Sequence, residues 1–178
     1  QEVMRYILPS NVDPLATYIG AVNTVVNDDG ALKAYNTDWT GAIRALEEVC
    51  GDLKGRTAFL VGAGGTARAI AYGLTLTGRT VVVFNRTPLE AKKLATHFGV
   101  SLGGSLEDIT EAGDYDVLIN ATPVGTPPNE QESVVDEAIV KAGKVVMDVV
   151  AKPMETTLIR YAKNKGCEVV YGHRMLLH

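Results

Sequence analysis

The stretch FLVGAGGTARAIA, residues 59–71, restricts the fold more than any other part of the chain. An apolar run ends at Val61. Gly62, Gly64 and Ala67 then follow in the order G-x-G-x-x-A, ahead of an alanine-rich, helix-like segment. Each small residue has a steric reason. Gly62 permits a tight turn out of a strand, Gly64 lets a pyrophosphate approach the backbone, and Ala67 lets helix and strand pack closely. A helix that opens here presents unpaired N–H groups and the positive end of its dipole. Residues Gly62, Ala63, Gly64, Gly65 and Thr66 therefore form a candidate phosphate cradle. A glycine-rich turn alone is weak evidence, since it also serves as a plain strand-to-helix connection. The strand before it and the helix after it supply the context that the motif requires.

The rest of the chain has a matching rhythm. The runs TAFLV (57–61), TVVVF (80–84), DVLIN (116–120), KVVMDVV (144–150) and CEVVYG (167–172) are β-branched and almost continuously apolar. Strands covered on both faces look like this. Helix-like stretches lie between them: TARAIAYGLTLTG, PLEAKKLATHFG, SLEDITEAG, ESVVDEAIVKAG and METTLIRYAKNKG. Most end in Gly, which is common just past a helix C-terminus. TPLE at 87–90 has the form of a capping box with Pro88 at the first helical position. The alternation predicts an α/β fold, a Rossmann-like doubly wound parallel sheet with right-handed crossovers. TPVGTPPNEQES (122–133), Pro/Gly-rich and polar, is the loop expected to move most.

The end of the second strand distinguishes the cofactors. An acidic residue there binds the ribose 2′-hydroxyl of NAD. This chain instead has FNRTPLE, placing Asn85, Arg86 and Thr87 where that acid would stand. Arg86 suits a 2′-phosphate and can stack on adenine, and Thr87 can cap the helix and bond the phosphate. The expected cofactor is NADP. The competing reading is a solvated arginine beside a capping threonine.

The first 37 residues differ in character. YIGAVNTVVNDDGALKAYNTD reads as a hairpin, with a strand over 20–26, an Asp-Asp-Gly turn and a strand over 31–36. WTGAIRALEEV then forms a helix with Ile43, Leu46 and Val49 on one face. Asp38 stands at that junction, where a helix cap would explain a carboxylate without any chemistry. Asn23 alone would be a polar residue at a strand end.

Composition narrows the function classes. With 178 residues the chain has room for one substantial domain, or one domain plus a piece of another. A net charge of −4 argues against nucleic acid as the main partner, and no apolar run is long enough to span a membrane as a helix. Cys50 and Cys167 lie far apart, without metal-ligand spacing, and fit a reducing compartment as structural residues. His97, His173 and His178 form no ligand cluster and are expected at surfaces. Lys33, Lys54 and Lys152 read as solvated charges. No Ser-His-Asp set or metal site can be assembled.

Taken together, IGAVNTVV, YNTDWTG, VGAGGTARAI with FNRT, NATPVG and the terminal GHRMLL resemble the shikimate 5-dehydrogenase (shikimate/quinate dehydrogenase) family, in the right order over essentially the whole chain. The resemblance implies NADP-dependent reduction of 3-dehydroshikimate to shikimate by a two-lobed enzyme with a small-molecule substrate, monomeric or homodimeric. The implied location is cytoplasmic, or plastid for a plant chain. It implies that residues 1–37 are the C-terminal part of a split substrate-binding domain, with the hairpin as its remnant. Residues 38–172 would be the NADP-binding domain, and 173–178 the start of a helix returning to the substrate domain. Asp38 would be the catalytic carboxylate and also touch substrate, Asn23 would bind substrate hydroxyls, and Ala151 would face the substrate pocket. Gly62 to Thr66 and Asn85, Arg86, Thr87, Pro88, Leu89 and Glu90 match the phosphate and adenosine-phosphate loops. Thr122, Val149, Gly172 and Met175 match positions near the nicotinamide.

The chain also departs from the family pattern. The family's catalytic Lys precedes an EVM-like helix, so it would fall immediately before Gln1, and a substrate-contacting Gln would follow His178. Both suggest a fragment. Ala151 stands where the family usually has Tyr, which points to weakened shikimate binding or an altered substrate. Alternatives remain: a catalytically inactive dinucleotide-binding module, or a quinate- or aminoshikimate-type dehydrogenase. A methylene-tetrahydrofolate or glutamyl-tRNA type of reductase shares the glycine loop, but AVNT together with NTD argues against it.

Overall fold

A computed structural model describes residues 3–52 and 54–178. The opening Gln1 and Glu2 of the QEVM stretch lie outside the described residues. The chain begins with two short 3-10 turns and then α1 (Pro14–Ile19). Asp13 caps α1 by accepting from the amides of Leu15 and Ala16, with Pro14 at the first helical position. Strands β1 (Thr24–Asp28) and β2 (Ala31–Tyr35) form an antiparallel hairpin. Its two-residue turn, Asp29–Gly30, has φ of 48° and 90°, the left-handed pair that suits the twist of the strands. The first strand starts later than the predicted residue 20, because Gly20 is instead the left-handed cap of α1. Ile7, Val12, Ala16 and Ala34 form a small core under the hairpin. Val25, Val26, Leu32 and Tyr35 remain exposed.

After α2 (Asp38–Cys50) the chain enters a six-stranded parallel sheet: β3 (Thr57–Val61), β4 (Thr80–Phe84), β5 (Ser101–Gly104), β6 (Val117–Asn120), β7 (Val145–Asp148) and β8 (Glu168–Tyr171). The spatial order is β5-β4-β3-β6-β7-β8. This is the order of a doubly wound dinucleotide fold, with its switch point between β3 and β6. Helices α3 (Gly65–Thr75), α4 (Pro88–Phe98), α5 (Thr157–Asn164) and α6 (Gly172–Leu177) complete the chain.

Alternation along each strand divides the core. Ala58 and Leu60 join Val83, Ile119 and Met147 on the face covered by α2, α3, α4 and α6. Phe59 and Val61 join Phe84, Leu118 and Val146 on the other, with Leu158 and Ala162 of α5. Both faces are buried, so the strands lack polar alternation, as the sequence predicts.

Several local expectations change. SLEDITEAG and ESVVDEAIVKAG contribute only the 3-10 turns Glu107–Thr110 and Glu137–Ile139. In the second, consecutive Val134 and Val135 are both buried, together with Val140. That pattern does not follow a helical stripe, and β-branched residues resist helix. Strand β5, sequence SLGG, was not anticipated, because glycine weakens the strand signal. The TPLE capping box is absent: Thr87 is the N-cap of α4 but its side chain makes no capping bond, and Glu90 pairs with Lys93. The Pro-rich loop carries successive turn bonds, Thr126 to Pro123, Asn129 to Thr126 and Glu132 to Asn129. His173 is half-buried, stacked on Tyr171 at 5.6 Å, where a surface position was expected.

The hairpin segment is anchored to the sheet domain at α1. Arg68 Nε of α3 donates to the Ile19 carbonyl (2.5 Å), and a His97 ring nitrogen of α4 lies 2.7 Å from the Tyr18 carbonyl. These groups sit over the helix end, where carbonyls lack intrahelical partners. Helices α2 and α3 approach closely at Gly73. A Cβ there would lie 2.7 Å from Ile43 Cγ1 and 3.1 Å from the Trp39 carbonyl. Ala favours helix over Gly by about 1 kcal/mol, whereas overpacking costs about 1–3 kcal/mol. Gly73→Ala is therefore expected to lower stability, read as a reduced urea midpoint at unchanged slope.

Candidate functional site

The cradle forms where β3 turns into α3. Gly62 has φ of +121°, a conformation that L side chains rarely adopt. A Cβ there would also meet the Ala121 carbonyl at 3.0 Å, across the switch point. Gly64 is different. Its Cβ position meets nothing within 4 Å, so its face opens outward. Ala67 is fully buried against the sheet. The first intrahelical bond of α3 runs from the Arg68 amide to the Gly64 carbonyl at 3.0 Å, which leaves the amides of Gly65, Thr66 and Ala67 free of helical partners.

A cavity of about 250 Å³ opens over this turn, lined by Val61–Gly64, Asn85, Arg86 and Ala121–Val124, with Leu106 and Val134 as apolar walls. It lies at the carboxyl ends of β3, β4 and β6, where open α/β sheets bind ligands. Asn85 Nδ2 donates to the Thr87 carbonyl (3.0 Å) and so shapes the turn after β4. Arg86 is exposed, and among the described residues no ion pair engages it. No acid occupies the end of β4. These features fit a dinucleotide with an extra phosphate on its adenosine side.

Of the residues singled out by sequence, Gly62, Ala63, Gly64, Asn85, Arg86 and Thr122 line this cavity. Gly65 and Thr66 begin α3 beside it, and Gly65 packs against Ala21. Thr87, Pro88 and Glu90 lie on the exposed start of α4, and Leu89 lines a separate groove with Lys92, Lys93, Thr96 and His97. Val149, Gly172 and Met175 lie outside the cavity. Gly172 packs on the Val149 carbonyl, and Met175 packs on Gly41 of α2, one turn from Asp38. Ala151 is half-buried, just beyond β7.

Asp38 is not the helix cap. Thr37 holds that position, and Asp38 is the first helical residue. Its Oδ1 accepts from Asn23 Nδ2 at 2.6 Å. Asn23 also donates to Thr37 Oγ1 (3.0 Å) and accepts from the Thr37 amide (3.0 Å). Buried Asn36 ties the same segments together. It donates to the Ala21 carbonyl (3.0 Å) and accepts from the Asp38 amide (3.1 Å). The segments AVN and NTD are thus bonded side by side, and the first runs directly from its contact with Gly65. Burial pushes the Asp38 carboxyl above its usual range, and the bond from Asn23 opposes that shift.

Sequence reasoning missed a buried network under the loops. Asn120 Oδ1 accepts from the Thr122 amide (3.0 Å) and hydroxyl (2.7 Å), while Asn120 Nδ2 donates to Asp148 Oδ1 (3.0 Å). Thr156 Oγ1 donates to Asp148 Oδ2 at 2.7 Å. The available signal was an Asp inside the apolar run KVVMDVV. Among the described residues, no group of three or more His, Cys, Asp or Glu could hold a metal ion.

The family profile described as "Shikimate / quinate 5-dehydrogenase" matches residues 44–162. The chain belongs to that family. A shikimate dehydrogenase (NADP(+)) of Pyrococcus furiosus is 44% identical over 179 residues, covering all of this chain and 63% of the relative. The enzyme of the same name from Caldanaerobacter subterraneus subsp. tengcongensis is 39% identical over 184 residues, covering all of this chain and 65% of the relative. A crystal structure of a shikimate dehydrogenase in complex with NADP+ superposes with a TM-score of 0.87 at 36% identity, covering 98% of this chain and 63% of that one. This family member thus spans less than two thirds of the length of those relatives.

The Asp38 geometry sets the sign of a pH effect. A carboxyl whose folded pKa is raised costs stability when ionised. That cost is absent below the unfolded value and grows as pH rises towards the folded one. Asp38→Asn should therefore not lower the melting temperature at pH 7, and any gain should vanish as pH falls to about 4. Asn23→Ala should raise the Asp38 pKa further, as read by NMR titration of the carboxyl carbon.

Proposed function

We propose that this chain is the cofactor-binding part, with the adjoining piece of the substrate lobe, of an NADP-dependent dehydrogenase that reduces 3-dehydroshikimate to shikimate. The observation that supports this most is the pairing of an open glycine cradle with an unpaired Arg86 where an NAD-binding acid would stand. Gly62 to Thr66 would hold the pyrophosphate through backbone N–H groups, and Asn85 to Glu90 would receive the adenosine phosphate. Thr122, Val149, Gly172 and Met175 would border the nicotinamide. When bound, the dinucleotide supplies the hydride.

Asp38 and Asn23 offer a carboxylate and an amide side by side, a suitable pair for the hydroxyls of a small polyhydroxy acid. With its carboxyl raised by burial, Asp38 is the group we assign to substrate holding and to acid–base work at the cleft. Residues 1–37 and 173–178 are assigned to the substrate lobe and 38–172 to the cofactor domain. No helix among the described residues is long and apolar enough to cross a membrane. We assign the protein to the cytoplasm, as a monomer or homodimer acting on a small molecule. A quinate-type substrate is the second reading, favoured by Ala151: without a tyrosine there, that wall lacks both a ring and a hydroxyl.

Two measurements test the assignment. The protein should bind NADPH more tightly than NADH, and Arg86→Ala should remove about ten- to hundredfold of that preference, the worth of a charge-assisted bond. Equal affinities before substitution would overturn the NADP reading. In the natural protein that carries this sequence, Asp38→Asn should lower kcat for 3-dehydroshikimate reduction by about a hundredfold or more. NADPH affinity should hardly change. Faster turnover of quinate than of shikimate in the reverse direction would favour the second reading.

A further inference from the structure

Among the described residues, Asp148 is the only Asp, Glu, Lys, Arg or His that is buried, at 1% exposure. It ends β7 in register with Asn120 at the end of β6. Its Oδ1 accepts from Asn120 Nδ2 and from the Val150 amide, both at 3.0 Å. Its Oδ2 accepts from Thr156 Oγ1 at 2.7 Å, and that hydroxyl in turn accepts from the Ile159 amide at 3.3 Å. All three partners donate, an arrangement suited to a carboxylate rather than a carboxylic acid. Burial acts in the opposite direction and raises the pKa. Among the described residues no ion pair reaches Asp148.

A buried charge without a cation is costly. An asparagine could keep most of these bonds, since its amide could donate to Thr156 Oγ1. Hydrogen bonding alone therefore leaves the charge unexplained. The site suggests a reason. Arg86 and the glycine turn direct the adenosine half of a dinucleotide over β4 and β3. A ligand crossing the switch point then carries its other half over the ends of β6 and β7. Those ends hold Thr122, fixed by Asn120, and Asp148 behind it. The nicotinamide ring is cationic when oxidised and neutral when reduced, so a fixed negative charge in this low-dielectric region discriminates between the two.

We propose that Asp148 is a positioning residue whose buried charge, relayed through Asn120 to the Thr122 loop, favours the oxidised cofactor over the reduced one. This rests on the dinucleotide reading above. The test is the ratio of the Kd values for NADP+ and NADPH, measured by calorimetry for the unsubstituted protein, Asp148→Asn and Thr156→Val. Asp148→Asn should weaken NADP+ binding by on the order of three- to tenfold, with NADPH changed less than about twofold. Thr156→Val removes one of the three donors but leaves the carboxyl group in place, so it should shift the ratio less than Asp148→Asn does. An Asp148→Asn protein that loses both affinities equally, or neither, would overturn the proposal and make Asp148 structural only. If that variant does not melt cooperatively, Asp148→Ser, which keeps one acceptor without charge, is measured in its place. Failure of both neutral variants to fold would likewise overturn the proposal. Failure of the unsubstituted protein to bind either dinucleotide would overturn the cofactor reading, and this inference with it.

Discussion

The turn at Gly62 is the constraint on which the rest of the site depends. Strand β3 must end beside the Ala121 carbonyl at the head of the loop after β6, and the chain must reverse there into α3. Only a residue without Cβ can take φ of +121° in that space. The reversal aims the start of α3 across the switch point. It also leaves Gly64 facing outward, with three amides beside it. A side chain at Gly62 would strain the turn. One at Gly64 would meet nothing within 4 Å and would project into the open space beside the turn.

The same turn links the two parts of the chain. Gly65 abuts Ala21, and two residues later Asn23 meets Asp38. Asn36 ties the segment at Ala21 to the start of α2, and Met175 packs on Gly41 of the same helix. The carboxylate is therefore placed by three segments far apart in sequence. Its geometry depends on helix α2 being seated, and α2 is seated by close contacts at Gly41 and Gly73. The placement of Asp38 thus depends on close packing at residues that are small.

The polar layer below the loops follows a different logic. Asn120 and Asp148 end adjacent strands and spend their side chains on the backbone and hydroxyls just beyond. Loop residues that would otherwise bury unsatisfied amides are thereby paired. The cost is a carboxyl group held in an apolar setting, where burial raises its pKa and the three donors oppose that shift.

Much of this was legible in the sequence. Continuous β-branched runs such as TVVVF pointed to strands covered on both faces, and they form such strands. The glycine spacing after Val61 marked the strand-to-helix turn at the switch point, because that signal is local and steric. Other features were not legible, since they are decided between distant segments. ESVVDEAIVKAG has helix-like composition but is drawn out to bury Val134, Val135 and Val140. From the residues alone Asp38 read as a cap, and only the family resemblance made it a catalytic carboxylate; the 2.6 Å bond from Asn23 is a property of the packed chain. Asp148 looked like one polar residue in an apolar run. The sequence by itself determined the layer order and the glycine turn after β3, through periodicity and backbone sterics. Only the tertiary structure decided which carboxylates are buried and what they touch, because burial and hydrogen bonding belong to the packed molecule.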